Sequence, residues 1–457
     1  MEVLSQAPQP TIKCYHLSIT PYQYQVFTPN SSYTSGKNLQ SYNFERSIEN
    51  FGGSFSFTVK EDTEDIKEPF MDKVEPLDII VISENGSDDR YDFIGVVTTV
   101  SIGGMASNLN KVVTVSGKSI EWLFSYFNIA NDIHLMVFEN ESENRTFKTD
   151  LGKEQGTKGI TIKDVVESSI EAFREEETKL RNGEVETEEG KITPISNSFV
   201  GDLIDKWFKT DYVEATKTNI AYPISSNLFE TEKVTIIDYL KKIFPSPIYE
   251  IFSYIDDNKQ PKLVVREAPF DNPVAKYTIN PNQLTDYTLT RSCEEVYTGF
   301  MTYIEGTDMS PAFYMNIQAA KDTQKGYNYA EPVKDKIAKY GYQLLTCSFV
   351  GYNNDPDATI DEKLIKDLNE KLARWFSNLD EMYTGDFTIV NITKEKPARI
   401  GEWLKFAGGL YYVISEKHSW VFGDNPMINY QVTRGGEYLN GKFKPVEKLS
   451  TIYKEFE

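Results

Sequence analysis

Three places in the sequence carry residue types at spacings that could do chemistry. Gly117-Lys118-Ser119 stands between a β pattern and a helical one, the setting of a phosphate-binding loop. Such a loop needs a glycine five positions before the Gly-Lys pair. Val112 stands there, so the backbone cannot curl around a phosphate. Asn353-Asn354-Asp355-Pro356-Asp357 with Asp361 and Glu362 supplies oxygen ligands in the manner of a calcium loop. An EF-hand begun at Asn353 would need glycine and glutamate where Ala358 and Leu364 stand, so the segment reads as a solvated loop entering a helix. The histidines are His16, His134 and His418. None lies in His-Glu-x-x-His, and there is no Gly-x-Ser-x-Gly elbow. His418 follows a strand and reads as a packed or edge residue. Cys14, Cys293 and Cys347 are too far apart for a CxxC-type metal site and form no disulfide framework, which suits a reducing cytosol. Glycoside hydrolysis needs only two carboxylates about 5–10 Å apart, so a cell-wall hydrolase stays open as an alternative. The expectation is a chain that is not an enzyme, with no catalytic, cofactor or metal residue. Partner-binding residues are not assigned.

The chain has 457 residues, with 69 acids against 48 bases and a net charge of −21. Nucleic-acid binding is driven by Lys and Arg neutralising phosphates, so this balance argues against wrapping DNA. It fits solubility and repulsion between copies, or an acidic lining past which DNA slides. No run of about 18 apolar residues exists, so no membrane-spanning helix is expected. The first residues lack a basic region and an apolar stretch, so a secretory signal is not expected.

Any sites must be positioned by elements that are mostly β. Phe55, Phe57 and Val59 share one face of a strand, with Ser54, Ser56 and Thr58 on the other. Further strands read at Leu77–Ile82, ending in a Ser83–Gly86 turn, at Asp92–Val100 and at Lys111–Ser116. Ile120, Leu123, Phe124 and Phe127 then form a helical stripe capped by Ser119. The middle is more helical, from Thr161 with Asp164 and at Ile236–Phe244, with strands at Ile248–Phe252 and Lys262–Arg266. The acidic stretch 175–189 reads as an exposed loop. Leu364, Leu368, Leu372 and Trp375 form a packing stripe on a helix at 360–380, opened by a Thr359–Glu362 capping box.

The strands after that helix repeat the order of the first ones. Gly385–Ile389 mirrors Gly53–Phe57, and Gly401–Phe406 mirrors Leu77–Ile82. Tyr411–Ser415 mirrors Phe93–Val97, and Met427–Gly435 mirrors Val112–Gly117. The fold class expected is mainly β with α+β insertions: two related tube-type β-barrels flanking a mixed α/β middle region. The divisions are 11–127 for the first barrel, 128–280 for the middle, 281–438 for the second barrel with its inserted helix, and 439–457 for a tail. The second copy lacks the helix that follows the first.

In the order and position of these motifs, with Val113–Ser119 entering a helix and His418 near the far end, the chain resembles a family. That family is the baseplate hub proteins of contractile phage tails and tail-like bacteriocins, of the phage Mu type and the defective Bacillus prophage type. The resemblance covers both ends of the chain and not the middle. It implies a structural homotrimer whose six barrels adapt a six-fold tail tube protein to a three-fold spike. Because the chain ends soon after the second barrel, the spike is expected to be a separate protein. Other baseplate proteins are implied as partners, and DNA would pass through the lumen without specific binding. The implied location is the virion or tail-like particle, assembled in the bacterial host cytoplasm. A tube-closing protein of a non-contractile phage tail is the closest alternative.

Overall fold

The computed structural model describes residues 10–15, 24–27, 38–61, 74–85, 90–103, 111–126, 128–129, 138–141, 144–147, 161–184, 186–187, 190–191, 194, 205–206, 209–218, 234–305, 331–350, 362–392, 396–439 and 442–446. Strands dominate, with helices inserted between them. The first unit is built from β1 (Thr11–Tyr15), β2 (Tyr24–Phe27), β3 (Asn38–Ser47), β4 (Ser54–Glu61), β5 (Ile79–Ser83), β6 (Phe93–Gly103) and β7 (Lys111–Ser119). These lie in the order β3-β4-β7-β6-β5-β1-β2, all antiparallel. The strict alternation of β4 buries Phe55, Phe57 and Val59 against Ile12, Leu39, Tyr42, Phe44 and Val115.

Short strands open the middle: β8 (Asn128–Ile129), β9 (Phe138–Glu141), β10 (Asn144–Phe147), β11 (Glu186–Thr187), β12 (Gly190–Lys191), β13 (Val213–Ala215) and β14 (Val234–Thr235). Helix α1 (Leu123–Tyr126) follows β7, α2 spans Ile162–Arg181 and α3 spans Ile236–Ile243. In α2 the Thr161 hydroxyl caps the Asp164 N–H, and Thr235 with Asp238 forms the same box for α3. The acidic stretch differs from expectation. Glu175–Glu177 continue α2, where Glu177 pairs with Arg181 one turn on, and Glu186–Thr187 pairs antiparallel with Gly190–Lys191. The i,i+4 pairing supports the last turns of a helix whose apolar stripe has already ended.

The hairpin β15 (Tyr249–Ile255) and β16 (Pro261–Glu267) is apolar on both faces. Ile251, Ile255, Leu263 and Val265 face a core shared with α2, α3 and the outer side of β5 and β6. Phe252 and Val264 face the core of the second unit. Burial on both faces explains why apolar residues occupy both faces of this hairpin.

The second unit contains β17 (Ala275–Thr278), β18 (Leu284–Thr290), β21 (Tyr383–Val390), β22 (Trp403–Phe406), β23 (Gly409–Val421), β24 (Met427–Leu439) and β25 (Lys442–Lys444). Inserted before β21 are β19 (Gly299–Glu305), β20 (Leu344–Val350), α4 (Glu331–Tyr340) and α5 (Glu362–Phe376). Its order is β18-β21-β24-β23-β22-β17. This is the order β3-β4-β7-β6-β5-β1 of the first unit, strand for strand. One pairing differs, since β17 runs parallel to β22 whereas β1 runs antiparallel to β5. Neither unit closes into a full barrel through hydrogen bonds among the described residues. Each is a curled half-barrel, and β3 joins β23 to make one continuous sheet.

The correspondence extends to single residues. The register breaks between Leu39 and Ser41 on β3 and between Leu284 and Asp286 on β18. It breaks again between Val97 and Thr99 on β6 and between Val413 and Ser415 on β23. Leu77 N–H donates to Val97 O at 2.7 Å, and Gly401 N–H to Val413 O at 2.9 Å. Leu77 and Gly401 both adopt left-handed backbone, with φ of 74° and 77°. Two of the sequence alignments are off by two residues. Phe387, not Ile389, matches Phe57, since Phe387 stands opposite Tyr430 as Phe57 stands opposite Val115. Val413, not Ser415, matches Val97.

Candidate assembly interface

The seam between the half-barrels is the most chemically elaborate part of the described molecule. β3 and β23 pair antiparallel from Ser47↔Ser415 to Ser41↔Val421. Phe44 stacks on His418 with ring centroids 4.3 Å apart, and Tyr42 stacks on Trp420 at 5.9 Å. Under these rings lies a buried polar cluster. Glu84 Oε1 accepts from the Tyr42 hydroxyl at 3.0 Å and lies 3.0 Å from His418 Nδ1. Its Oε2 accepts from Asn391 Nδ2 at 2.8 Å. The Glu84 N–H donates to Asp92 Oδ2 at 2.8 Å, and Arg90 pairs with the other Asp92 oxygen. Arg46 Nη1 donates to Asp92 O at 3.1 Å and to Glu416 Oε1 at 3.3 Å, with its guanidinium 4.7 Å from the centre of the Phe93 ring.

Burial works against both charges of the Glu84–His418 pair, yet their mutual attraction wins. Burial raises the Glu84 carboxyl, and the His418 imidazolium brings it below the usual range. Burial lowers His418, and Glu84 carries it above the usual imidazole range. Asp92 is raised, because burial outweighs the help of Arg90. Burial and the neighbouring Glu84 push the Tyr42 phenol well up, so it serves as a donor.

A second buried cluster ties the β15–β16 hairpin to β23. Tyr412 donates to Glu250 at 2.6 Å, and Arg266 pairs with Glu250 at 3.2 Å. Arg434, on β24, lies between Phe270 and Phe376 at 3.7 and 4.4 Å, and donates to Trp375 O. Burial brings its pKa down to about 10. A cavity of about 330 Å³ opens beside this cluster. Of the three cations that line it, Arg266, Lys276 and Arg399, Arg266 is engaged as above and Arg399 pairs with Asp257 at 2.9 Å.

Gly117-Lys118-Ser119 lies inside β7 rather than in a loop. A Cβ on Gly117 would come 2.7 Å from the Phe55 ring and 2.0 Å from Val96 O. Gly95 meets Phe55 in the same way, at 2.6 Å. These glycines make room for an aromatic ring, which explains the glycine without a phosphate. His16, His134 and the Asn353–Asp361 segment lie outside the described residues. No group of His, Cys, Asp and Glu suited to a metal ion occurs among the described residues. No described helix is long and apolar enough to cross a membrane. The sequence reads Glu84 as part of a Ser83–Gly86 turn, with no sign that it is buried, and it is 2% exposed. The available signal was a lone acid ending the fully apolar strand Ile79–Ile82.

No family model and no curated protein matches the chain. Among solved structures it is similar to the 43 kDa tail protein of prophage MuSo2 from Shewanella oneidensis, with a TM-score of 0.49 and 10% identity over 94% of this chain and 98% of that one. It is similar to a tail protein from Neisseria meningitidis MC58, with a TM-score of 0.49 and 10% identity over 95% and 98%. It is also similar to prophage tail protein gp18 from Listeria monocytogenes EGD-e, with a TM-score of 0.46 and 10% identity over 97% and 98%. At these scores the likenesses alone assign neither fold nor activity.

Proposed function

We infer that the chain is a structural hub of a contractile tail baseplate, in a phage or tail-like particle assembled in a bacterial cytoplasm. Three copies form a ring of six half-barrels that receives a six-fold tube protein on one face and a separate three-fold spike on the other. The observation that carries this is the repeat: two units of the same strand order, with matching bulges, joined edge to edge in one chain. A chain that contains two copies of one subunit shape lets three chains imitate six-fold geometry. The units are those read at 11–127 and 281–438, with β17 and β25 added from the flanking middle and tail. Side chains with acid–base potential at the seam hold the units together rather than face a substrate, which supports a role without catalysis.

Native mass spectrometry of the purified full chain, alone and mixed with the tube and spike proteins of its neighbouring genes, tests the reading. Three chains per particle that bind both partners are expected. A stable monomer at micromolar concentration that binds neither overturns it.

A further inference from the structure

Two strand edges that keep the sense of their counterparts in the other unit remain without a hydrogen-bonded neighbour among the described residues, although those counterparts are mated. Inside the chain, the outer edge of β3 lies along the second half of β23, while the first half of β23 holds β22. The counterpart of β3 is β18, which pairs only with β21. The counterpart of β23 is β6, whose first half holds β5 while Thr99–Gly103 pair only with β7.

We propose that the free edge of β18 in one copy adds antiparallel to Thr99–Gly103 of β6 in the next copy, in the register that β3 and β23 already use. This names the contact for the ring read above and rests on that reading. The matching bulges fix the register. Tyr42 opposes Phe57 as Tyr287 opposes Phe387, and Val97 opposes Gly117 as Val413 opposes Val432. Carrying the Lys417↔Glu45 and His418↔Phe44 pairs across sets Ser101 opposite Thr290 and Ile102 opposite Leu289 of the next copy.

The chemistry of the edges agrees. A lone edge strand is ordinarily blunted by lysine, proline or an inward charge. Thr99-Val100-Ser101-Ile102-Gly103 carries no charge and no proline, and β18 carries only Asp286. Ile102 is 46% exposed, whereas its counterpart His418 is buried against Phe44. Leu289 stands at the position of Phe44, so pairing would cover Ile102 with an apolar side chain. The contact is head-to-tail, so repeating it closes a ring or grows a filament. Among the described residues the outer edge of β2 has no mated counterpart, and β17 runs in the opposite sense to its counterpart β1, whose outer edge holds β2, so neither gives a register.

Cysteine cross-linking of the full chain tests this. In a Cys293→Ser background, Ser101→Cys with Thr290→Cys should give reductant-sensitive dimers and trimers on a denaturing gel after mild oxidation. Either substitution alone should give none, and two single variants mixed should give dimers only. Ser101→Cys with Thr288→Cys is shifted by two residues and should yield roughly tenfold less, since diagonal positions about 7–8 Å apart exceed disulfide reach. Native mass of the same samples separates the two readings. Rings of three that cross-link best at the shifted pair, or not at all, overturn the edge pairing and leave the hub reading. Efficient Ser101–Thr290 cross-linking in a ring of another size keeps the pairing and overturns the trimer. A monomer without cross-links overturns both.

Discussion

His418 Nδ1 lies 3.0 Å from Glu84 Oε1, both side chains buried at the seam between the units. A buried imidazole beside a buried carboxylate makes a pH-dependent contact. The folded-state pKa of His418 is raised above its ordinary value of 6.5. Its stabilisation is therefore complete below about pH 6.5 and is lost as pH rises through the raised value. Thermal unfolding measured from pH 6 to 9 should show stability falling over this window. His418→Gln should flatten that limb. Its cost at pH 6 should be about 3 kcal/mol or more, because Glu84 stays buried with less compensation. Equal slopes for the two proteins would remove the pair from the account. The sequence reads His418 as a packed or edge residue and does not reveal its partner Glu84, and the glycines show the same limit. Val112 ruled out a phosphate loop at Gly117, but nothing local says that Gly95 and Gly117 admit Phe55 from a strand far away in the chain.

Strands, by contrast, were readable wherever one face is buried, because alternation is local. The repeat was readable as an order of strands, and its register was misread for a physical reason. At the position of Phe55 the second unit has Gly385, while Gly95 and Gly117 are matched by Tyr411 and Val432. The bulk has moved from one strand to its neighbours, so aligning glycine with glycine shifts the register by two. The bridging of the units was invisible, because β3 and β23 lie at opposite ends of the chain. At this scale the seam holds one buried ion pair that can be isolated. Arg46 and Glu416 are each almost wholly buried. Arg46→Met alone should cost about 3–5 kcal/mol by stranding a buried carboxylate. Glu416→Leu alone should cost a similar amount, and the double substitution should recover most of either loss. Urea unfolding of the four proteins gives the cycle, with a coupling of at least about 4 kcal/mol expected if the single losses are of this size. Additive losses would mean that the pair does not hold the seam.

At the scale of the whole molecule, the acidic balance and the free edges pull against each other. Each chain carries a net charge of −21, so copies repel at long range. The edges inferred to mate carry one acid and no base between them, and would be held by backbone hydrogen bonds and apolar contact. Repulsion between exposed charges is screened as the Debye length falls to about 10 Å at 0.1 M salt, whereas strand pairing is little affected. Association should therefore strengthen with salt. Sedimentation velocity of the chain alone should show the dissociation constant falling by roughly tenfold between about 0.02 and 0.3 M sodium chloride. An interface made of exposed ion pairs would respond in the opposite direction, because salt would weaken the attraction that joins the copies. A rise in the dissociation constant with salt would therefore place the contact on the charged surface and away from β6 and β18. The Ser101→Lys with Thr290→Glu variant sharpens the comparison. It imports the Lys417–Glu45 pair of the internal seam into the contact between copies. It should add an attraction that salt weakens and so flatten the salt dependence of association, while the same variant mated in another register would not.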